Sequence, residues 1–401
     1  MIVGDRGPLA SFGAGLAEEL AGVGYTPACI ARHVRLLRRV DQWMAGEGLT
    51  AGELTATEVE RFVRAGRAGR AAVGLGWPSH RGVAPLLAYL RRSGVVPTPT
   101  EPVPAGPVER VVAAYRRYLV DRRALAASTV EDYERYARVF FSQLAPPVRA
   151  DLTRLSAAEV TAAVRCQCRS RSVGWAKNFN TVLRSLLRFL FLDGYVPRDL
   201  SVSALSVAGY RHGRLPKALD PDDVARLLAT CAGQRRARRR DLAILTVVVR
   251  LGLRAGEVAV LALGDVDWRA GEIVVHGKGG RQDLLPLPTD VGAAIVDYLR
   301  HERPPTTSRS VFILAVAPRT GISAKTVGGV VRCAGARAGL APIGPHRLRH
   351  TAATEMLRGG ASLAEIGQVL RHQRQDTTSI YAKVDLDRLA TLAMPWPQVS
   401  A

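Results

Sequence analysis

The chain has 401 residues, 47 % of them hydrophobic, which is more than one typical core organises and implies two to three domains. Lys and Arg number 56 against 35 Asp and Glu, a formal net charge of +21 that points to a polyanionic partner; arginine-rich coding inflates basic surface but does not by itself raise net charge this far. No stretch approaches the roughly 18 uninterrupted apolar residues of a membrane span, the best, Leu242 to Val249, being cut by Arg250, and the start lacks a secretory pattern. Five cysteines (Cys29, Cys166, Cys168, Cys231, Cys333) without a Cys-x-x-Cys pair argue against a disulfide framework or a zinc ribbon, so a cytoplasmic protein with reduced thiols and no membrane contact is expected.

The first two hundred residues repeat with a period of about 100. Leu86 to Pro97 (LLAYLRRSGVVP) aligns on Leu186 to Pro197 (LLRFLFLDGYVP), Leu54 to Val59 on Leu155 to Val160, and Thr26 to Ile30 on Ala126 to Val130. Each copy is expected to be helical: Leu186, Leu187, Leu190 and Phe191 are spaced as one buried helix face, and Gly194 followed by Pro197 stops that helix. This predicts a first helical domain over 1–96, a proline-rich linker over 97–106, and a second helical domain over 107–206. A basic linker, 207–219, carries Arg211, His212, Arg214 and Lys217, and 220–401 forms a last domain.

That last domain opens on Asp220-Pro221, a helix N-cap with proline at the first helical position, and helical patterns run through Val224 to Leu228 and Leu242 to Val249. Strands are predicted at Val266 to Trp268, Glu272 to His276 and Asp283 to Leu287, with Gly277 to Arg281 as a hairpin turn, before helices resume. The fold class is therefore mainly α with one small antiparallel sheet, behind tandem helical units.

Five segments carry chemistry-bearing residues. Arg254 follows an apolar helix and Gly252, with Glu257 three residues on, a spacing that by itself describes a helix-surface ion pair. Lys278 sits in the glycine-rich hairpin turn, where a lysine is ordinarily just solvated, and Arg281 closes it. His346 and Arg349 share a helix face after Gly344-Pro345. His346 and His350 have helical metal-site spacing, but Arg347 stands where a zinc protease needs Glu, so no metal is expected. His372 and, nine residues later, Tyr381 complete the set. The run Arg235, Arg236, Arg238, Arg239, Arg240 is either a solvated helix start or a non-specific grip on phosphates.

In this order the five segments resemble the tyrosine recombinases, or phage-type integrases, over about Leu219 to Trp396 and less closely over Pro107 to Ser206. The resemblance implies a site-specific DNA recombinase in which Tyr381 is the nucleophile, Arg254, Arg349 and His372 hold the scissile phosphate, Glu257 orients Arg254, Lys278 protonates the leaving oxygen and His346 is the acid/base. Arg281 stays open as an alternative phosphate contact. A phenol, with a pKa near ~10, needs such cations and a proton acceptor to act. No metal or nucleotide cofactor is implied; the partner is double-stranded DNA, held by four protomers on two sites, and the extra helical copy suits a mobile-element integrase. Arg371 departs from the family pattern, which often has glycine before this histidine. Two other readings are a type IB topoisomerase-like relaxing enzyme, sharing the same residues, and a non-catalytic regulator, suggested by the helix-turn-helix-like Ala361 to Leu370.

Overall fold

The computed structural model describes residues 7–68, 80–97, 106–206, 218–233, 237–277 and 279–371. The chain divides into two compact units, one formed by Met1–Pro97 with His212–Ala401 and the other by Thr98–Arg211.

Among the described residues both copies of the repeat are helical, the second with one short helix more. In the first copy α1 (Gly13–Gly22), α2 (Pro27–Gly46), α3 (Ala56–Ala68) and α4 (His80–Arg92) surround a core of Leu16, Leu37, Met44, Phe62, Leu86 and Leu90. In the second, α5 (Pro107–Arg117), α6 (Ala127–Gln143), α7 (Pro146–Ala150), α8 (Ala157–Ser170) and α9 (Val173–Leu192) surround Tyr115, Phe140, Phe141, Phe179, Leu186 and Leu190. Both copies end alike. Gly94 (φ +70°) and Gly194 (φ +74°) take the left-handed conformation that closes a helix, and the amides of residues 95 and 96 donate to the Leu90 carbonyl as those of 195 and 196 donate to that of Leu190. The predicted face on α9 needs one correction. Phe191 is 41 % exposed, whereas Phe189 is fully buried. At about 100° per residue the buried arc runs from Phe189 through Leu186 to Leu187, and Phe191 turns about 140° from Leu186, beyond its edge.

Residues 218–371 build the part that positions the site. Asp220 is the N-cap of α10 (Pro221–Ala229) as its sequence suggests, though it caps by backbone conformation alone, without a side-chain bond. Around α11 (Arg238–Leu251), buried on nearly every side, pack α12 (Ala255–Val260), α13 (Thr289–His301), α14 (Ala324–Arg337) and α15 (Pro345–Arg358), and α16 (Leu363–Val369) lies against α15. The Thr351 hydroxyl on α15 accepts the Leu219 amide at 2.9 Å, tying the start of this part to its site helix.

One antiparallel sheet of order β1-β2-β3 flanks the helices. Its strands are β1 (Val266–Asp267), β2 (Glu272–His276) and β3 (Gln282–Pro286), in a register that sets Val274 opposite Leu284 and His276 opposite Gln282. Ile273, Val275 and Leu285 point into the core, which is why this short hairpin holds its register. β3 begins one residue earlier than the sequence pattern suggests, because pairing continues up to the turn.

Candidate active site

Three pieces of chain meet around a cavity of about 850 Å³. The α11–α12 junction contributes Arg254 and Glu257, the hairpin contributes His276, Gly277, Arg281 and Asp283, and the turn after α16 contributes Arg371.

The junction is built on Gly252. Its φ of +60° ends α11, and a Cβ there would stand 2.6 Å from Leu370 Cδ2, so only glycine fits both the conformation and the space. Arg254 is then the extended N-cap of α12 and Glu257 its third residue. The Glu257 carboxylate accepts the Arg254 amide at 2.9 Å and Nη1 of the Arg254 guanidinium at 2.6 Å. Thus the Arg-x-x-Glu spacing is not a plain surface pair. Glu257 is 5 % exposed, while the Arg254 side chain keeps 46 % of its surface. Burial alone would push the Glu257 carboxyl up; the Arg254 amide, the Arg371 charge and the Arg254 guanidinium outweigh it, leaving the carboxyl below its usual range and ionised.

Arg371 is the other partner of Glu257. Its Nη2 donates to Glu257 Oε2 at 2.7 Å and its Nη1 to the Val369 carbonyl, in a side chain with 3 % of its surface exposed. It also has φ +54°, which costs an L-residue about 1–2 kcal/mol, and the left-handed turn explains why glycine suits this position. In return the Arg371 carbonyl accepts Nη2 of Arg254 at 3.2 Å.

Arg349 lies beneath this layer rather than on the cavity wall. It is buried, with Nη1 donating to the Gly252 carbonyl at 2.7 Å and Nη2 to the Leu370 carbonyl. The two arginines singled out by the sequence are therefore fastened to consecutive carbonyls, Leu370 and Arg371, of one turn. His346, on the second residue of α15, sits edge-on to His350 with ring centroids 4.5 Å apart. Loss of water around the His346 ring, then the charges of Arg349 and Arg254, lower its pKa, so it is a neutral proton acceptor at pH 7. His350 is lowered further, to about 4, by burial first and then by His346 and Arg349.

On the hairpin side His276 Nε2 meets Asp265 Oδ1 at 2.9 Å and Arg281 Nε donates to Asp283 Oδ1 at 2.9 Å. Arg254, Arg281 and Arg371 face Glu257, Asp265 and Asp283 around the cavity, yet the two kinds of charge are not at the same depth. The side chains of Arg254 and Arg281 are 46 % and 60 % exposed, those of Glu257, Asp265 and Asp283 only 5 %, 14 % and 17 %. Arg371, with 3 % of its side chain exposed, lies as deep as the carboxylates, and the Arg254 and Arg281 guanidiniums in front of them present a cationic face to an incoming anion.

The structure thus brings Arg254, Glu257 and Arg281 to one cavity and buries Arg349 beneath them, while His346 is exposed at the start of α15, near enough for the charges of Arg349 and Arg254 to act on its ring. Lys278, His372 and Tyr381 lie outside the described residues, as do Arg235 and Arg236 of the basic run. Within the rest of that run, Arg240 needs correcting as a phosphate grip. Arg240 is buried, its guanidinium bonded to Asp241 and the Ile313 carbonyl and its amide to Glu302; Arg239 pairs with Asp297 on α13. Both hold α11 against the fold, and Arg238 on the first turn of α11 is half-buried. Sequence reasoning gave no role to His276 and Asp265, whose pairing needs β1 and β2 side by side, and saw Arg371 only as a change of turn. A large cation in a glycine position was the available signal.

The profile of the phage integrase family matches residues 217–388. The chain is 39 % identical over 397 residues to the integrase/recombinase y4rA of Sinorhizobium fredii, covering 98 % of this chain and 95 % of that protein. It is 32 % identical to the tyrosine recombinase XerC of Pelobacter propionicus, over 71 % of this chain and 93 % of that one. The solved structure of the XerH site-specific recombinase bound to its palindromic difH substrate shares the fold, with a TM-score of 0.59 and 16 % identity over 73 % of this chain and 97 % of that one. With a relative of that identity spanning nearly its whole length, the chain belongs to the phage integrase family of tyrosine-type site-specific DNA recombinases.

Proposed function

We propose that this recombinase cuts and rejoins duplex DNA through Tyr381, and that the cavity at Arg254 receives the scissile phosphate. The observation that carries this reading is the depth ordering of charge, with exposed guanidiniums backed by buried carboxylates. The Tyr381 oxygen attacks phosphorus and gives up its proton to His346; the bond to the 5′ oxygen breaks, and Lys278 protonates that leaving oxygen. A 3′-phosphotyrosyl link and a free 5′-hydroxyl result. Arg254, Arg349 and His372 stabilise the charge of the pentavalent transition state, with Arg281 at the rim. The Leu370 and Arg371 carbonyls that now occupy Nη2 of each arginine are neutral acceptors, and a phosphate oxygen, being charged, is the stronger competitor for those donors.

Attack by a 5′-hydroxyl of a second duplex reverses the chemistry and completes exchange. Two duplexes present four strands, and one nucleophile per strand calls for four protomers on two DNA sites. The helical units 1–96 and 107–206, joined by the linkers 97–106 and 207–219 to the catalytic domain 220–401, close on DNA as a clamp and read the site. The doubled helical unit fits a mobile-element integrase acting in the cytoplasm; among the described residues no helix is long and apolar enough to cross a membrane.

The test uses a nicked suicide substrate with excess EDTA present. The expected product is a covalent protein–DNA adduct with a free 5′-hydroxyl that a kinase labels directly, since cations of the chain take the place of a metal. Strict dependence on magnesium, or a 5′-linked protein, would overturn this chemistry.

A further inference from the structure

Arg371 stands where the backbone asks for glycine, and its guanidinium is almost wholly buried against Glu257. A change of turn does not explain a buried cation whose Nε has no hydrogen-bond partner. Its geometry toward Arg254 does. Glu257 Oε2 takes the Arg254 amide and Arg371 Nη2; Oε1 takes Arg254 Nη1. With Oε2 filled in this way, the Arg254 fork meets the carboxylate through one nitrogen only, at Nη1. Nη2 is held at the Arg371 carbonyl, and much of the side chain stays exposed to the cavity.

From this geometry we propose that Arg371 is a positioning residue: by filling Glu257 Oε2 it prevents Arg254 from closing a two-pronged pair with Glu257 and keeps the Arg254 fork directed at the phosphate. In a glycine variant Oε2 is open on that side, and the planar fork of Arg254 matches a carboxylate with two parallel bonds. Arg254 would then turn inward, charge unchanged and geometry lost. Because the part played by Arg254 in cleavage rests on the function proposed above, one measurement has to be independent of DNA chemistry.

The experiment compares the full chain with R371G, R371Q and R371K. Phenylglyoxal labelling without DNA, followed residue by residue by mass spectrometry, reads how open the Arg254 guanidinium is. Labelling of Arg254 should slow several-fold in R371G and R371Q and recover in R371K, which restores a cation at Oε2. Single-turnover cleavage should fall about tenfold or more in the first two variants while DNA affinity stays within about twofold, because the loss is one of aim. In an E257Q background R371G should add no further loss, since the neutral amide no longer draws the fork inward. Removing one partner of a buried pair is destabilising, so if R371G fails to fold, R371Q, which keeps most of the volume, decides. Unchanged Arg254 labelling in the folded variants overturns the proposal whatever the cleavage result; slowed labelling in a protein whose wild type forms no DNA adduct sustains the placement of Arg254 and sinks the function instead.

Discussion

Gly252→Ala is the smallest change that should disturb the whole site. The left-handed conformation costs an alanine about 1–2 kcal/mol. The new methyl would also lie 2.6 Å from Leu370 Cδ2 and 3.4 Å from Ala352 Cβ, and relieving such overpacking costs about 1–3 kcal/mol. A loss of about 2–5 kcal/mol follows, spent locally, since Leu370 is fully buried at the end of α16 and cannot swing into solvent. A chain of several domains need not melt as one unit, so hydrogen exchange of peptides covering residues 243–253 and 345–358 is the appropriate assay, and both should exchange faster. Cleavage should fall as well, because the carbonyls of Gly252 and Leu370 both anchor Arg349. In the double variant with Leu370→Ala the clash disappears, and the combined loss should be smaller than the sum by about 1–3 kcal/mol. Strict additivity, or unchanged protection in Gly252→Ala, would refute this account of the junction.

Arg254→Lys and Arg349→Lys should each slow cleavage of the suicide substrate on the order of 10²-fold or more, since a point charge cannot reproduce a two-pronged contact to phosphate; near wild-type rates would remove the clamp. The folded His350 ring, with a pKa of about 4 against an ordinary 6.5, binds a proton less readily than the unfolded chain. Its contribution to stability is therefore complete above pH 6.5 and is lost as pH falls through about 4, and denaturant titrations across that window should be flatter in His350→Asn. Deleting residues 1–100 should shrink the DNA footprint and broaden recognition more than it slows cleavage; an unchanged footprint would give the first helical copy another partner.

Much of this was legible along the chain. The hairpin was, because Ile273 and Val275 alternate and glycines mark its turn, and so was the repeat, because both copies need the same left-handed glycine after the same leucine. Local patterns did not show where charges go. Arg240 reads as part of a basic surface, yet its partners on Ile313 and Glu302 are 73 and 62 residues away. Arg371 meets Glu257 across 114 residues, so a pair that orders the site looks in sequence like an odd turn. Phe191 failed for a simpler reason: the face predicted for α9 was set one position too far round the helix.

Tyr381 is the proposed nucleophile. Tyr381→Phe removes one oxygen and no charge, so DNA binding measured by gel shift should stay near wild type while the covalent adduct on the nicked suicide substrate disappears, and peptide mapping of the wild-type adduct should place the nucleotide on Tyr381. An adduct that persists in Tyr381→Phe, or maps to another residue, would contradict the assignment.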